Sequence, residues 1–117
     1  MDLDEIKRNS FRVGVRGNDA VSITINRVPY EIVDIGNRGI GLRLTTEDIF
    51  VSVGDELPIE LKIENHLFKL QGKVVHISPS EPDELLCGIQ FMTIDKKTEA
   101  KFMEQLQSLR EKIFKEQ

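Results

Sequence analysis

Residues 33–42 read Val33-Asp34-Ile35-Gly36-Asn37-Arg38-Gly39-Ile40-Gly41-Leu42. Apolar positions flank a Gly-Asn-Arg-Gly centre, so the segment predicts a strand, a tight turn and a returning strand. The glycines also spell G-x-x-G-x-G, but this run links two strands and opens no helix, which excludes a dinucleotide-binding turn. Outward from this hairpin the strand pattern continues in both directions. Six strands are expected, at approximately Ala20–Ile25, Val28–Ile35, Gly39–Thr45, Leu57–Glu64, Leu67–Ile77 and Leu85–Ile94. Val21-Ser22-Ile23-Thr24-Ile25 and Ile59-Glu60-Leu61-Lys62-Ile63 alternate with period two, as strands with one buried face do. Asn26-Arg27, Val53-Gly54-Asp55, Glu64-Asn65-His66 and the polar Pro79–Asp83 stretch supply the turns. The spacing suits a small barrel or sandwich.

After Asp95 the period changes. Phe102, Leu106, Leu109 and Ile113, flanked by Met103 and Phe114, recur at helical spacing on a background of Lys, Glu and Gln. They predict an amphipathic helix over 95–117 with Asp95 or Thr98 as its cap. Its apolar stripe has two uses, packing on an open end of the sheet or pairing with a second copy in a homodimer; the first is preferred.

At 117 residues the chain is one domain's worth of core. With 39% apolar and 31% charged residues it is expected to be soluble. No run approaches the roughly 18–20 apolar residues of a spanning helix. The start, MDLDEIKRNS, carries acid where a signal peptide would be basic and then apolar, so the expected location is the cytoplasm without membrane insertion. Cys87, the single cysteine, lies in an apolar run that predicts a buried thiol, which excludes a disulfide-stapled scaffold.

The net charge of −4 conceals an asymmetry. Residues 7–43 hold seven basic and three acidic groups, and six of the seven arginines fall there. Arginine presents a planar fork to phosphate oxygens or base edges, so a small phosphate-bearing ligand is compatible with this region. The overall acidity argues against duplex binding. Catalysis finds little support: there is no nucleophile elbow and no ligand pair at metal spacing. His66 beside a turn and His76 within an apolar strand read as structural, and Glu81, Asp83 and Glu84 read as a solvated turn. No enzyme activity, metal or cofactor is expected.

Two segments stand out together. Arg8-Asn9-Ser10-Phe11-Arg12 is an R-x-x-x-R preceded by Lys7 and followed by Val13-Gly14-Val15; the opening hairpin begins its acidic motif 22 residues after Arg12, at Asp34. In this order, ahead of further strands and a terminal helix, they resemble the PilZ domain family, whose pattern is R-x-x-x-R followed by (D/N)-x-S-x-x-G. Val74-Val75 and Cys87-Gly88-Ile89-Gln90-Phe91 are similar to later parts of that family. The resemblance implies a mainly β fold: a six-stranded antiparallel β-barrel followed by a C-terminal amphipathic helix. It divides the chain into an arm at 1–12, a barrel at 13–94 and a helix at 95–117. It implies a bacterial receptor for cyclic di-GMP that signals to a protein partner in the control of motility or biofilm formation. Carried over by position, Arg8 and Arg12 bind the ligand, Asp34 is the acidic residue of the second motif and Gly39 its closing glycine. Gly36 stands where the family has serine. Arg16 forms a second R-x-x-x-R with Arg12, and Lys7, Arg16, Arg38 and Arg43 are auxiliary candidates.

Chemistry supports that assignment. Arginine meets the O6/N7 edge of guanine, stacks on a base or pairs with phosphate. The Asp34 carboxylate accepts hydrogen bonds from the N1 and N2 donors of guanine, which adenine does not offer in that arrangement. Gly36 and Gly39 are expected to allow positive φ and a close approach of backbone to a flat ligand. The absent serine hydroxyl removes one hydrogen bond, about 0.5–1.5 kcal/mol. Two rivals accompany this reading: a degenerate adaptor of the same fold that binds no cyclic di-GMP, and a small-barrel nucleic-acid binder. The second lacks an aromatic row for stacking bases.

Overall fold

The computed structural model describes residues 12–15, 19–45 and 51–115. Period-two alternation is realised where it is cleanest. In β2 (Val21–Ile25), Val21, Ile23 and Ile25 point into the core, and in β5 (Glu56–Ile63) Ile59, Leu61 and Ile63 do so. Asn26 and Arg27 both have positive φ, 53° and 68°, so a two-residue turn whose twist suits a hairpin joins β2 to β3 (Val28–Gly36). β4 (Gly39–Thr45), β6 (His66–Pro79) and β7 (Glu84–Phe91) complete the sheet.

Every pairing is antiparallel, in the order β3–β2–β5–β6–β7–β4, and β4 pairs back onto β3 to close a six-stranded barrel. Closure leaves none of the six as a free edge along its whole length. A short additional strand, β1 (Arg12–Gly14), joins from outside the ring. β2 holds β3 only along Val28–Tyr30, and β1 takes over the same edge along Asp34–Gly36. β1 is the one strand the sequence pattern did not anticipate. Three residues are too few to show a period, and only the vacated edge of β3 gives them a partner.

α1 (Lys96–Lys115) follows after a four-residue link. Asp95 caps it: its carboxylate accepts from the Thr98 amide and the Thr98 hydroxyl, both at 2.8 Å. These bonds hold the Asp95 carboxyl below its ordinary pKa. Phe102, Leu106 and Leu109 are buried against the barrel, and the Phe102 ring meets Phe68 and Phe91 edge-on, each with centroids 5.4 Å apart. Lys112 reaches Glu64 in the β5–β6 turn at 2.8 Å. The Phe102, Leu106 and Leu109 part of the stripe that could have served a homodimer is thereby buried within the chain's own core. No described helix is long and apolar enough to cross a membrane.

Candidate ligand-binding groove

The opening hairpin lies on the barrel wall between β2 and β7, and the site grows from its outward-facing residues. Along β4, Ile40, Leu42 and Leu44 point inward, which sends Gly39, Gly41 and Arg43 outward. On β7, Cys87 and Ile89 point inward and Gly88 and Gln90 outward. Gly41 is the cross-strand partner of Gly88, and Gly39 of Gln90. The outer wall therefore carries two adjacent glycines, a patch of bare backbone. Side chains from the flanking strands lean over it. A Cβ at Gly41 would lie 2.5 Å from Asp34 Oδ1, and a Cβ at Gly88 would lie 2.5 Å from Nδ1 of His76.

Register breaks on both flanks of this patch. The β3–β4 ladder shifts between Ile32 and Asp34, and the β6–β7 ladder between Val74 and His76. A bulge adds a residue to one strand and re-aims the side chains beside it. Here Asp34 and His76 are each directly next to one. The result is a groove of about 530 Å³ running over β3, β4, β7 and β6, with Asp34 and Val33 on one side, Val75 and His76 on the other, and Arg38 with Gln90 at one end. That volume is in the range of small-molecule sites.

Sequence-derived site residues distribute unevenly over this geometry. Asp34, Gly39 and the auxiliary candidate Arg38 line the groove. Gly36 ends β3 on the same face as Asp34, two residues on, and its Cα partner across the ladder is Arg12. Arg8, Lys7 and Arg16 lie outside the described residues. Arg43 is engaged elsewhere: its guanidinium lies 3.0 Å from Glu31 and 3.1 Å from Glu84, and the hydrogen bond to Glu31, followed by Glu84, raises its pKa further. It braces β3, β4 and β7 just beyond the groove.

Three expectations change. Neither Gly36 nor Gly39 adopts positive φ; among the described glycines only Gly54 does, at 99°. Both are strand residues, and what Gly39 provides is a close approach: a Cβ there would lie 2.5 Å from the Ile89 carbonyl oxygen. Glu84 is not part of a solvated turn. It opens β7 at 6% exposure and pairs with Arg43, so the polar loop is shorter than its composition suggested. His76, read as structural within an apolar strand, is exposed on the groove wall. Gly41, Gly88, His76 and Gln90 were not expected to line a site, although the sequence has one signal: the alternation of Phe68, Leu70, Gly72 and Val74, continued without an extra residue, would put His76 inside and Ile77 outside. Cys87 behaves as expected, with burial pushing its thiol up to about 11.

The architecture is a closed antiparallel barrel with one C-terminal helix packed on it and an open groove on its outer wall. The PilZ domain family matches residues 6–109, and the chain belongs to that family, whose members are binding and adaptor domains. No curated protein sequence matches significantly. The solved structures that share the fold include the following three. The uncharacterized Legionella protein Lpg0364 superposes with a TM-score of 0.62 at 18% identity, over 87% of this chain and 96% of that one. The Bacillus subtilis inhibitor of motility MotI (DgrA) gives 0.65 at 16% identity, over 90% of this chain and 50% of the other. Borreliella burgdorferi PlzA in complex with c-di-GMP gives 0.60 at 15% identity, over 96% and 55%. The chain thus spans about half the length of the latter two.

Proposed function

We propose that this domain is a cyclic di-GMP receptor that passes ligand binding to a protein partner, without catalysing a reaction or requiring a cofactor. The observation that carries the reading is the β1–β3 register. Arg12 pairs with Gly36 and Gly14 with Asp34, so two motifs 22 residues apart in sequence share one short ladder. That ladder ends at the groove. Asp34 contributes a carboxylate acceptor on the groove wall. The family motif R-x-x-x-R assigns to Arg8, which lies outside the described residues, and to Arg12 the contacts with the phosphates or a base face of the ligand. The PilZ relationship and the c-di-GMP complex of PlzA support the ligand class. The Bacillus subtilis inhibitor of motility that shares the fold supports a role in the control of bacterial motility.

Calorimetric titration with cyclic di-GMP, against cyclic di-AMP and GTP, tests this directly. The receptor reading expects saturable binding of cyclic di-GMP and none of the other two at equal concentration. Gly36 in the serine position favours one alternative, an adaptor of the same fold that no longer binds. Absence of binding at high micromolar ligand selects that alternative.

A further inference from the structure

The groove has a wall that neither sequence motif supplies. Val74 is fully buried, and simple alternation would turn Val75 outward and His76 back into the core. The register shift between Val74 and His76 prevents this: Val75 and His76 are exposed in succession. A bulge here spares the core a polar ring and presents that ring outside. His76 then lies against its partner Gly88, where a Cβ would be 2.5 Å from Nδ1, 3.1 Å from Nε2 and closer still to Cε1. Only a glycine lets an imidazole settle so near the β7 backbone. The ring is the one aromatic group among the described groove-lining residues, and the residue remains exposed. Asp34 covers Gly41 in the same manner, and Gly41 and Gly88 are direct cross-strand partners, about 5 Å apart at Cα. A hydrogen-bond acceptor and an aromatic ring therefore stand side by side over bare backbone.

We infer that His76 is a stacking platform for a purine base of the ligand, which rests on the imidazole while its hydrogen-bonding edge turns toward Asp34. The inference rests on the receptor reading and adds to it an affinity-determining residue outside both motifs. Stacking on an aromatic side chain tolerates any base with a π-face, so His76 contributes affinity and Asp34 the choice of guanine. Gly88 is the positioning residue, because a methyl group there displaces the ring.

The test combines calorimetry with the Cε1–H proton resonances of the two histidines, assigned with a His66→Gln variant. His76→Ala is expected to weaken cyclic di-GMP binding roughly 5- to 150-fold, the range of a lost base–aromatic stack, with an unchanged Tm because the side chain is exposed. His76→Phe, which keeps a ring but no charge or N–H, should bind within about threefold of wild type. The His76 resonance of the wild type should move upfield on saturation, and 5′-GMP at millimolar concentration should move it in the same direction. Cyclic di-GMP binding with an unmoved resonance and an unaffected His76→Ala variant overturns the platform and leaves the receptor intact. Failure of His76→Phe to rescue overturns stacking in favour of a hydrogen bond or charge. An upfield shift with 5′-GMP alone keeps the platform and removes the cyclic di-GMP assignment. Silence toward both ligands overturns both.

Discussion

Gly39→Ala and Gly88→Ala add the same methyl group to the same face of the β4–β7 ladder, and they should behave differently. At Gly39 the new Cβ would lie 2.5 Å from the Ile89 carbonyl oxygen and 3.4 Å from Gln90 Cα, both backbone atoms. An ordinary carbon–oxygen contact is about 3.3 Å, so β4 and β7 must separate by most of an ångström. The two strands are held together there, where the Phe91 amide also donates to the Arg38 carbonyl at 2.7 Å. Overpacking of this kind costs about 1–3 kcal/mol, which for a domain of this size lowers Tm by roughly 5–15 °C. At Gly88 the obstacle is the His76 ring, an exposed side chain free to swing aside. Gly→Ala also reduces unfolded-state entropy, an opposing gain of about 0.4–1 kcal/mol, so Gly88→Ala should melt within about 3 °C of wild type. Thermal and urea unfolding of the three proteins, followed by far-ultraviolet circular dichroism, gives the comparison. Equal stability of Gly39→Ala and wild type would refute the close-approach argument. A Gly88→Ala variant as unstable as Gly39→Ala would refute the free movement of His76.

Phe102→Ala removes a fully buried ring with two edge-on aromatic partners and should cost about 3–5 kcal/mol, read as a lower urea midpoint at unchanged m-value; a loss under about 1 kcal/mol would mean that the helix does not depend on this anchor. Arg8→Ala and Arg12→Ala should each weaken cyclic di-GMP binding by about 1.5–3 kcal/mol, with Arg16→Ala doing less, and calorimetry that finds Arg16 dominant shifts the motif by one step. Gly36→Ser should strengthen binding by about 0.5–1.5 kcal/mol if the hydroxyl meets the ligand, and because Gly36 does not have positive φ, no left-handed backbone strain opposes it; a stable variant with unchanged affinity refutes the missing-hydroxyl account. The Asp95 cap predicts a pH dependence. Its carboxyl is depressed in the folded state, so its stabilisation is fully present above the unfolded carboxylate value near 3.8 and disappears as pH falls through the folded pKa. The Tm difference between wild type and Asp95→Ala should accordingly be larger at pH 6 than at pH 2.5, and a constant difference would refute the cap.

Local pattern determined much of this protein. Alternation in Val21–Ile25 and Ile59–Ile63 set which residues enter the core, because side chains of a strand with one buried face have no other option. Phe102, Leu106 and Leu109 announced an amphipathic helix for the same reason at a different period, and Asp95 announced its cap. Asp34 and Gly39 were legible as candidate residues through their place in a motif, and both line the groove. What lay beyond reach depends on register between strands distant in sequence. That Arg12 sits opposite Gly36 follows from the edge β2 vacates, which no local signal encodes. Arg43 was an auxiliary candidate by charge alone, and its ion pairs with Glu31 and Glu84, from strands before and after it, emerge only in the folded barrel. The glycine floor forms because Gly41 meets Gly88 across forty-seven residues of chain, and His76 stands beside it because one extra residue bulges β6. Sequence specifies which face of a strand is wet; only the closed barrel decides which wet residues become neighbours, since that depends on the shear of six strands fitting together at once.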